Sequence, residues 1–266
     1  MGNHIQESYK NLGIKIGPMV MRALGYLPIT ESSDDDVFIV SYPRSGNSWL
    51  AHLILGIFYD ENPETIRYSA VRNMIPDVHL KRCYRRCHSP MFFKSHHLPR
   101  PEYKRVLYIA RDGRDVMVSC YHYYSASLGK DIDFMEMIRG KGLDFGKWHD
   151  HVESWLSNPY KAKMLLVKYE DMVKDTVGEL KRLCIFFGIK KDISVLETAA
   201  ERASFEKLRQ KEIKHGIDYR GWPRDKMFFR RGKVGSYKDE MPWDALEAFT
   251  GEAEGTLRKL GYLCGD

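Results

Sequence analysis

Short apolar runs rich in β-branched and aromatic residues alternate with stretches of helical periodicity along most of this chain. That alternation restricts the fold more than any other feature. The runs lie at 37–42 (VFIVSY), 105–110 (RVLYIA) and 163–169 (KMLLVKY), with a weaker one at 91–94 (MFFK). Helical spacing follows three of them, over 48–59, 113–126 and 171–188, and further helices are expected at 146–157, 192–213 and 243–260. Strands that alternate with helices build βαβ units, hence a parallel sheet covered on both faces. The chain has 266 residues, 43% of them apolar and 29% charged, and no stretch reads as an interdomain linker. The expectation is a single α/β domain with a central parallel sheet flanked by helices.

Residues 1–30 are read as an N-terminal helical arm, and 31–266 as the main domain. Gly2 is followed by Gln6 where N-myristoylation needs Ser or Thr. The segment 9–28 is interrupted by Lys15, Gly17, Pro18 and Arg22, so it lacks the apolar core of a signal peptide. No segment approaches the roughly 20 apolar residues of a membrane span. A cytoplasmic protein with reduced thiols is expected, its cysteines being five and scattered. In HLKRCYRRCH, His79, Cys83 and Cys87 fall at i, i+4 and i+8, one face of a helix if the run is helical. The tight cysteine pairs of a structural zinc site are missing, so no metal is expected. This basic run and the acidic SSDDD (32–36) both read as solvated surface.

In open parallel sheets, ligands bind beyond the carboxyl ends of the strands. The loops there are PRSGNS, KSHHLP and RDGRD, followed by the YED after 163–169; the first three carry cations. A basic, Gly-containing turn feeding a helix N-terminus favours anions, through free N–H groups and the helix dipole. The Walker pattern is absent, yet YPRSGNSW has the shape of a phosphate loop. Arg44 offers charge, Gly46 allows close backbone approach, and Asn47 and Ser48 offer donors.

Together these elements resemble the sulfotransferases that use 3′-phosphoadenosine 5′-phosphosulfate (PAPS). The family's Y-P-K-S-G-[TN]-[TS]-W loop for the 5′-phosphate reads Tyr42-Pro43-Arg44-Ser45-Gly46-Asn47-Ser48-Trp49 here. Its K-[ST]-H element is Lys94-Ser95-His96, and its Arg and Ser for the 3′-phosphate match Arg111 and Ser119. Its Y-E-D is Tyr169-Glu170-Asp171, its S-F pair is Ser204-Phe205, and its R-[KR]-G-x2-G loop is Arg230-Arg231-Gly232 with Gly235. These motifs occur in family order across 37–262.

The resemblance implies two cationic cradles for a donor with phosphate at both ends of its adenosine. Arg44 and the 45–49 backbone supply one; Arg111, Arg230 and Arg231 supply the other. Trp49, Tyr169 and Phe205 would hold the adenine. It also implies that His96 removes the proton of the acceptor hydroxyl, while Lys94 and Arg44 stabilise the transferring sulfonate and the departing phosphate, with no metal required. Counting from Lys94 selects His96, the favoured base, whereas counting back from Leu98-Pro99 selects His97. Arg44 stands where the family usually has Lys, so it can clamp charge without donating a proton. His122 and the tyrosines of CYHYYSAS read equally as packing or as acceptor-pocket lining.

The implied acceptor is a small hydroxylated molecule, first a secondary-metabolite alcohol or phenol, with an amine, glycan or peptide tyrosine behind it. The C-terminal KDEMPWDALEAF lacks the K-x3-T-V-x3-E dimer motif of animal cytosolic enzymes and is closer to bacterial tailoring sulfotransferases. A nucleotide-dependent kinase and a polyanion binder are the competing readings. The net charge of +6 suits an acidic ligand in each case, and the favoured reading involves no nucleic acid.

Overall fold

The computed structural model describes residues 18–217 and 222–263. Its strands are β1 (Tyr26–Pro28), β2 (Val37–Ser41), β3 (Cys83–Arg85), β4 (Phe92–Ser95), β5 (Arg105–Ala110) and β6 (Lys163–Lys168). Its helices are α1 (Pro18–Ala23), α2 (Asn47–Phe58), α3 (Tyr68–Met74), α4 (Gly113–Leu128), α5 (Phe134–Ile138) and α6 (Trp148–Ser157). They continue as α7 (Tyr169–Lys174), α8 (Thr176–Phe187), α9 (Ile193–Arg202), α10 (Phe205–His215), α11 (Tyr237–Glu240) and α12 (Trp243–Lys259).

Four strands form one parallel sheet in the order β4-β2-β5-β6, as the βαβ reading requires. Alternate residues serve opposite faces, because strand side chains have a period of two. Phe38, Val40, Val106 and Tyr108 join one core, with Val116, Trp148, Trp155 and Phe249. Val37, Ile39, Leu107 and Ile109 join the other, with Leu50, Leu53, Ile54, Leu180 and Leu183. Both faces are therefore dry, and the ligand-accessible ground lies at the strand ends.

The expected helices are present, but two are split. The run 171–188 breaks at Asp175, whose carboxylate accepts the Gly178 N–H and caps α8. The run 192–213 breaks at Ser204, whose hydroxyl accepts from Lys207 and caps α10. In each case a polar side chain starts a new helix where apolar periodicity alone would continue the old one.

The described part of the expected helical arm holds α1 and then strand β1, while residues 1–17 lie outside the described residues. β1 pairs antiparallel with β3, so Cys83 sits on a strand rather than on a helical face with His79 and Cys87. No group of three or more metal-ligating side chains is placed to hold an ion among the described residues. The four described cysteines are free thiols; Cys264 lies outside the described residues.

Two readings of charge as solvated surface hold for most of their residues and fail at one residue each, Asp36 and Arg86. Asp36 is fully buried, and its carboxylate takes both Nη groups of Arg86, at 2.9 and 2.7 Å, together with the N–H groups of Ser33 and Met91. Burial acts to raise its pKa, but the Arg86 pair and the two amides outweigh that and hold the carboxyl below its ordinary value. Asp36 and Arg86 thus join the start of β2 to the segment before β4.

Candidate active site

The turn from β2 into α2 is built on left-handed backbone: Arg44 has φ 69° and Gly46 has φ 114°. A left-handed non-glycine residue costs ~1–2 kcal/mol. Helix α2 offsets it by burying Leu50, Leu53, Ile54, Leu55 and Ile57, each such side chain contributing ~1.5–3 kcal/mol. A Cβ on Gly46 would stand 2.8 Å from the Tyr169 ring, so only glycine lets the loop pass this close. The first N–H groups of α2, which a helix leaves without internal acceptors, open at this turn.

Around it lies a cavity of about 550 Å3. Its wall includes Arg44, Gly46, Asn47, Ser48, Trp49, Lys94, His96, Arg111, Ser119, Tyr169, Ser204, Phe205, Arg230, Arg231 and Gly232, so loops distant in sequence converge as the motifs require. Ser45, buried beneath the turn, is not among the lining residues. His97 does not line the cavity either: its Nδ1 meets the Tyr103 hydroxyl at 3.0 Å, and its carbonyl accepts from Trp155. Tyr123 and Tyr124 are on the wall, whereas His122 turns to Glu240 at 2.7 Å.

The cations expected at the two ends of the donor line one cavity and touch one another. The Arg44 side chain lies between the rings of Tyr123 and Phe228, 4.8 and 4.9 Å from their centroids. Its Nε donates to Ser119 Oγ at 3.3 Å. Arg111 donates from Nη1 to the Arg44 carbonyl and from Nη2 to the Lys233 carbonyl, each at 3.3 Å, and stacks over Tyr169. Asp115, fully buried, accepts the N–H groups of Gly235 and Tyr237 and so fastens the Arg230–Gly235 loop to α4.

Some side chains expected to face a ligand are already engaged. Asn47 gives its amide N–H groups to the carbonyls of Ile39 and Ser95, tying β2 to β4. Ser48 Oγ meets the Tyr68 hydroxyl at 3.2 Å. Arg230 sends both Nη groups to Glu240, at 2.6 and 3.1 Å, and Arg231 sends one. Burial acts to raise the Glu240 pKa, but Arg230, Arg231 and His122 overcome it and hold the carboxyl at about 2.

The aromatics expected at the adenine, Trp49, Tyr169 and Phe205, line the same cavity. Trp49 donates from Nε1 to the Ala203 carbonyl at 2.9 Å and stands edge-on to Tyr169 with centroids 5.6 Å apart. Gly232 has φ 61°, and a Cβ there would be 2.3 Å from the Phe205 ring. Ser45 Oγ, Asn47 Oδ1 and Arg111 Nε are buried polar atoms without a partner. Such groups cost free energy unless something completes them. An unmet donor on the cavity-lining Arg111, a glycine-lined turn and surplus positive charge fit an anionic nucleotide.

At the other end, His96 Nδ1 lies 2.7 Å from the Ser41 carbonyl. A carbonyl only accepts, so Nδ1 carries the proton and Nε2 keeps its lone pair. Burial, then Lys94, pushes the His96 pKa down to about 3, with Asp77 opposing, so the ring is neutral at ordinary pH. Lys94 Nζ is 3.5 Å from Asp77, which is 7% exposed. Asp77, His79, Asp144 and Phe145 also line this end and were not found as site residues by sequence reasoning. Nothing local marks them: their relation to Lys94 and His96 exists only once the chain is folded.

A sequence profile of the sulfotransferase domain matches residues 34–261. The chain belongs to the sulfotransferase domain family. Rat sulfotransferase 2A1 is 29% identical over 237 residues, covering 81% of this chain and 82% of the relative. Human sulfotransferase 2B1 is 26% identical over 270 residues, covering 91% and 71%. Among solved structures, mouse sulfotransferase SULT7A1 complexed with PAP superposes with a TM-score of 0.64 at 25% identity, covering 87% of this chain and 90% of that one. Retinol dehydratase in complex with androsterone and inactive cofactor PAP gives 0.67 at 22%, covering 85% and 82%, a likeness of fold. The single α/β domain expected from the strand–helix alternation is the sulfotransferase fold.

Proposed function

We propose that this sulfotransferase transfers the sulfuryl group of PAPS to a hydroxyl of a small-molecule acceptor, with His96 as the general base. The enzyme is PAPS-dependent, and the finer reading concerns its base and its acceptor. The observation that carries the base is the hydrogen bond from His96 Nδ1 to the Ser41 carbonyl. It leaves Nε2 bare on a ring that lines the cavity.

PAPS supplies an activated sulfuryl group whose donor product is PAP. The remaining chemistry belongs to the chain. His96 Nε2 accepts the hydroxyl proton, which a neutral histidine does without ionising first. Lys94 and Arg44 stabilise negative charge on the sulfonate and the leaving phosphate, as in other transfers dominated by alignment and electrostatics. Arg44 does so as a fixed cation, since a guanidinium does not give up its proton. The α2 N-terminus and the 45–49 backbone hold the 5′ side, and Arg111, Ser119, Arg230 and Arg231 the 3′-phosphate. Trp49, Tyr169, Ser204, Phe205 and Gly232 enclose the adenosine.

The acceptor we favour is a natural-product alcohol or phenol: Phe145 stands beside the His96 ring with centroids 5.4 Å apart, and Tyr123 and Tyr124 line the same cavity. No helix is long and apolar enough to cross a membrane among the described residues, in keeping with a cytoplasmic site of action. Labelled PAPS offered with phenols, alcohols, amines, a glycan and a tyrosyl peptide tests the reading. Transfer to phenols or alcohols is expected; transfer confined to amines, or none to any of the classes, would refute it.

A further inference from the structure

Segment 76–79 runs beside the strand that carries Lys94 and is fixed to it on both sides of Asp77. Lys94 N–H donates to the Pro76 carbonyl at 2.9 Å, and Val78 N–H donates to the Lys94 carbonyl at 3.0 Å. Within the segment, Asp77 Oδ1 accepts the His79 N–H at 2.9 Å. The Asp77 carboxylate also faces Lys94 Nζ at 3.5 Å. This anchorage delivers the His79 ring to residue 96, where Nε2 accepts the His96 amide hydrogen at 2.9 Å. The two rings stack, with centroids 5.7 Å apart and planes 18° from parallel, and Phe145 stands edge-on to His79 at 5.0 Å.

We infer that His79 is a positioning residue for His96: by accepting the amide hydrogen at residue 96, it fixes the peptide from which the base projects. This rests on His96 being the base. The physical argument is one of tautomers in series. His79 can accept at Nε2 only with its own proton on Nδ1, and the same bond holds the residue-96 peptide so that the His96 Nδ1–H reaches Ser41. Without the His79 acceptor, the His96 amide loses its partner and the ring loses its fixed direction. Misplacement of a reacting group by about 1 Å can cost ~100-fold in rate. Asp77 is the foot of this brace, since it holds both the His79 backbone and the Lys94 ammonium.

The test compares His79→Phe with His79→Gln, because a glutamine carbonyl can accept the same amide hydrogen while a phenyl ring cannot. PAPS turnover is followed with a simple phenol and, as reference, with water as acceptor. The expected result is a ~10- to ~100-fold fall in kcat for His79→Phe with KM for PAPS unchanged. PAP-induced thermal stabilisation should stay the same, and His79→Gln should recover most of the rate. Long-range proton–nitrogen NMR of the imidazoles supplies a readout independent of turnover: the His96 ring is a single Nδ1–H tautomer in the wild type and a mixture in His79→Phe. Equal rates for the two variants, or an unchanged His96 tautomer in His79→Phe, would overturn the inference. His96→Ala separates the underlying reading. If that variant keeps its turnover, the base assignment fails by itself, and the NMR comparison still decides whether His79 holds residue 96.

Discussion

Replacing Arg44 separates charge from fork geometry at the centre of the site. Its guanidinium bonds Ser119 at 3.3 Å and lies between two aromatic rings. One charge-assisted hydrogen bond contributes ~1.5–3 kcal/mol, which corresponds to ~10- to ~150-fold in affinity. Arg44→Met should weaken PAP binding by that factor and lower kcat further, because Lys94 alone then opposes charge on the leaving phosphate. Arg44→Lys keeps the charge and gives up the planar stacking between the rings, ~0.5–2 kcal/mol per contact. It should keep kcat within about tenfold of the wild type, a smaller loss than removal of a charge-assisted bond. Calorimetric titration with PAP and steady-state rates with PAPS measure both effects. Arg44→Met binding PAP as tightly as the wild type would refute the assignment of Arg44 to the 5′ side. Equal losses in the two variants would refute a purely electrostatic role.

Two further predictions follow from the same geometry. His52 and His151 are fully buried, and burial pushes both pKa values down to about 4. The unfolded chain therefore binds protons first, so stability should be full above pH 6.5 and fall as the pH drops below it. At pH 5.5 the two together should cost about 3 kcal/mol, readable from urea midpoints across pH, and a flat profile from pH 7 to 5 would contradict it. In thermal-shift assays, PAP at 100 times its dissociation constant should stabilise by ~2.7 kcal/mol, and AMP at the same concentration by much less, because it brings no 3′-phosphate to Arg111, Arg230 and Arg231. Stabilisation by ATP but not by PAP would contradict the donor site.

The parts of this molecule that were legible in sequence are those whose chemistry is local. The β2–α2 turn announces itself because a cation, a glycine and a helix start are neighbours in the chain. The parallel sheet is legible because β2, β5 and β6 are each followed by a helix, whereas β4, whose run was the weakest, passes to β5 through a loop. Long periodic runs concealed the breaks at Asp175 and Ser204, where a single side-chain cap outweighs continued apolar spacing. Other features depend on partners brought close only by folding. Asp36 looked like part of a solvated turn until Arg86, fifty positions away, met it in the core. Glu240 gave no sign that it would take up Arg230 and Arg231. Asp77 and His79 join the site through one isolated bridge to Lys94. Residue type and spacing identify a motif, but the residues that brace it are chosen by the packing around it.

The base is the central claim, and paired rates for His96→Ala and His97→Ala test it most directly. His96 lines the cavity with Nε2 bare, while His97 is held against Tyr103 and Trp155 away from it. Sulfonate transfer should fall ~10²- to ~10⁴-fold in His96→Ala, with PAP binding preserved. His97→Ala should stay within about tenfold of the wild type, below the smallest loss expected from removing a general base. Similar modest losses in both variants, or a larger loss in His97→Ala, would contradict the account.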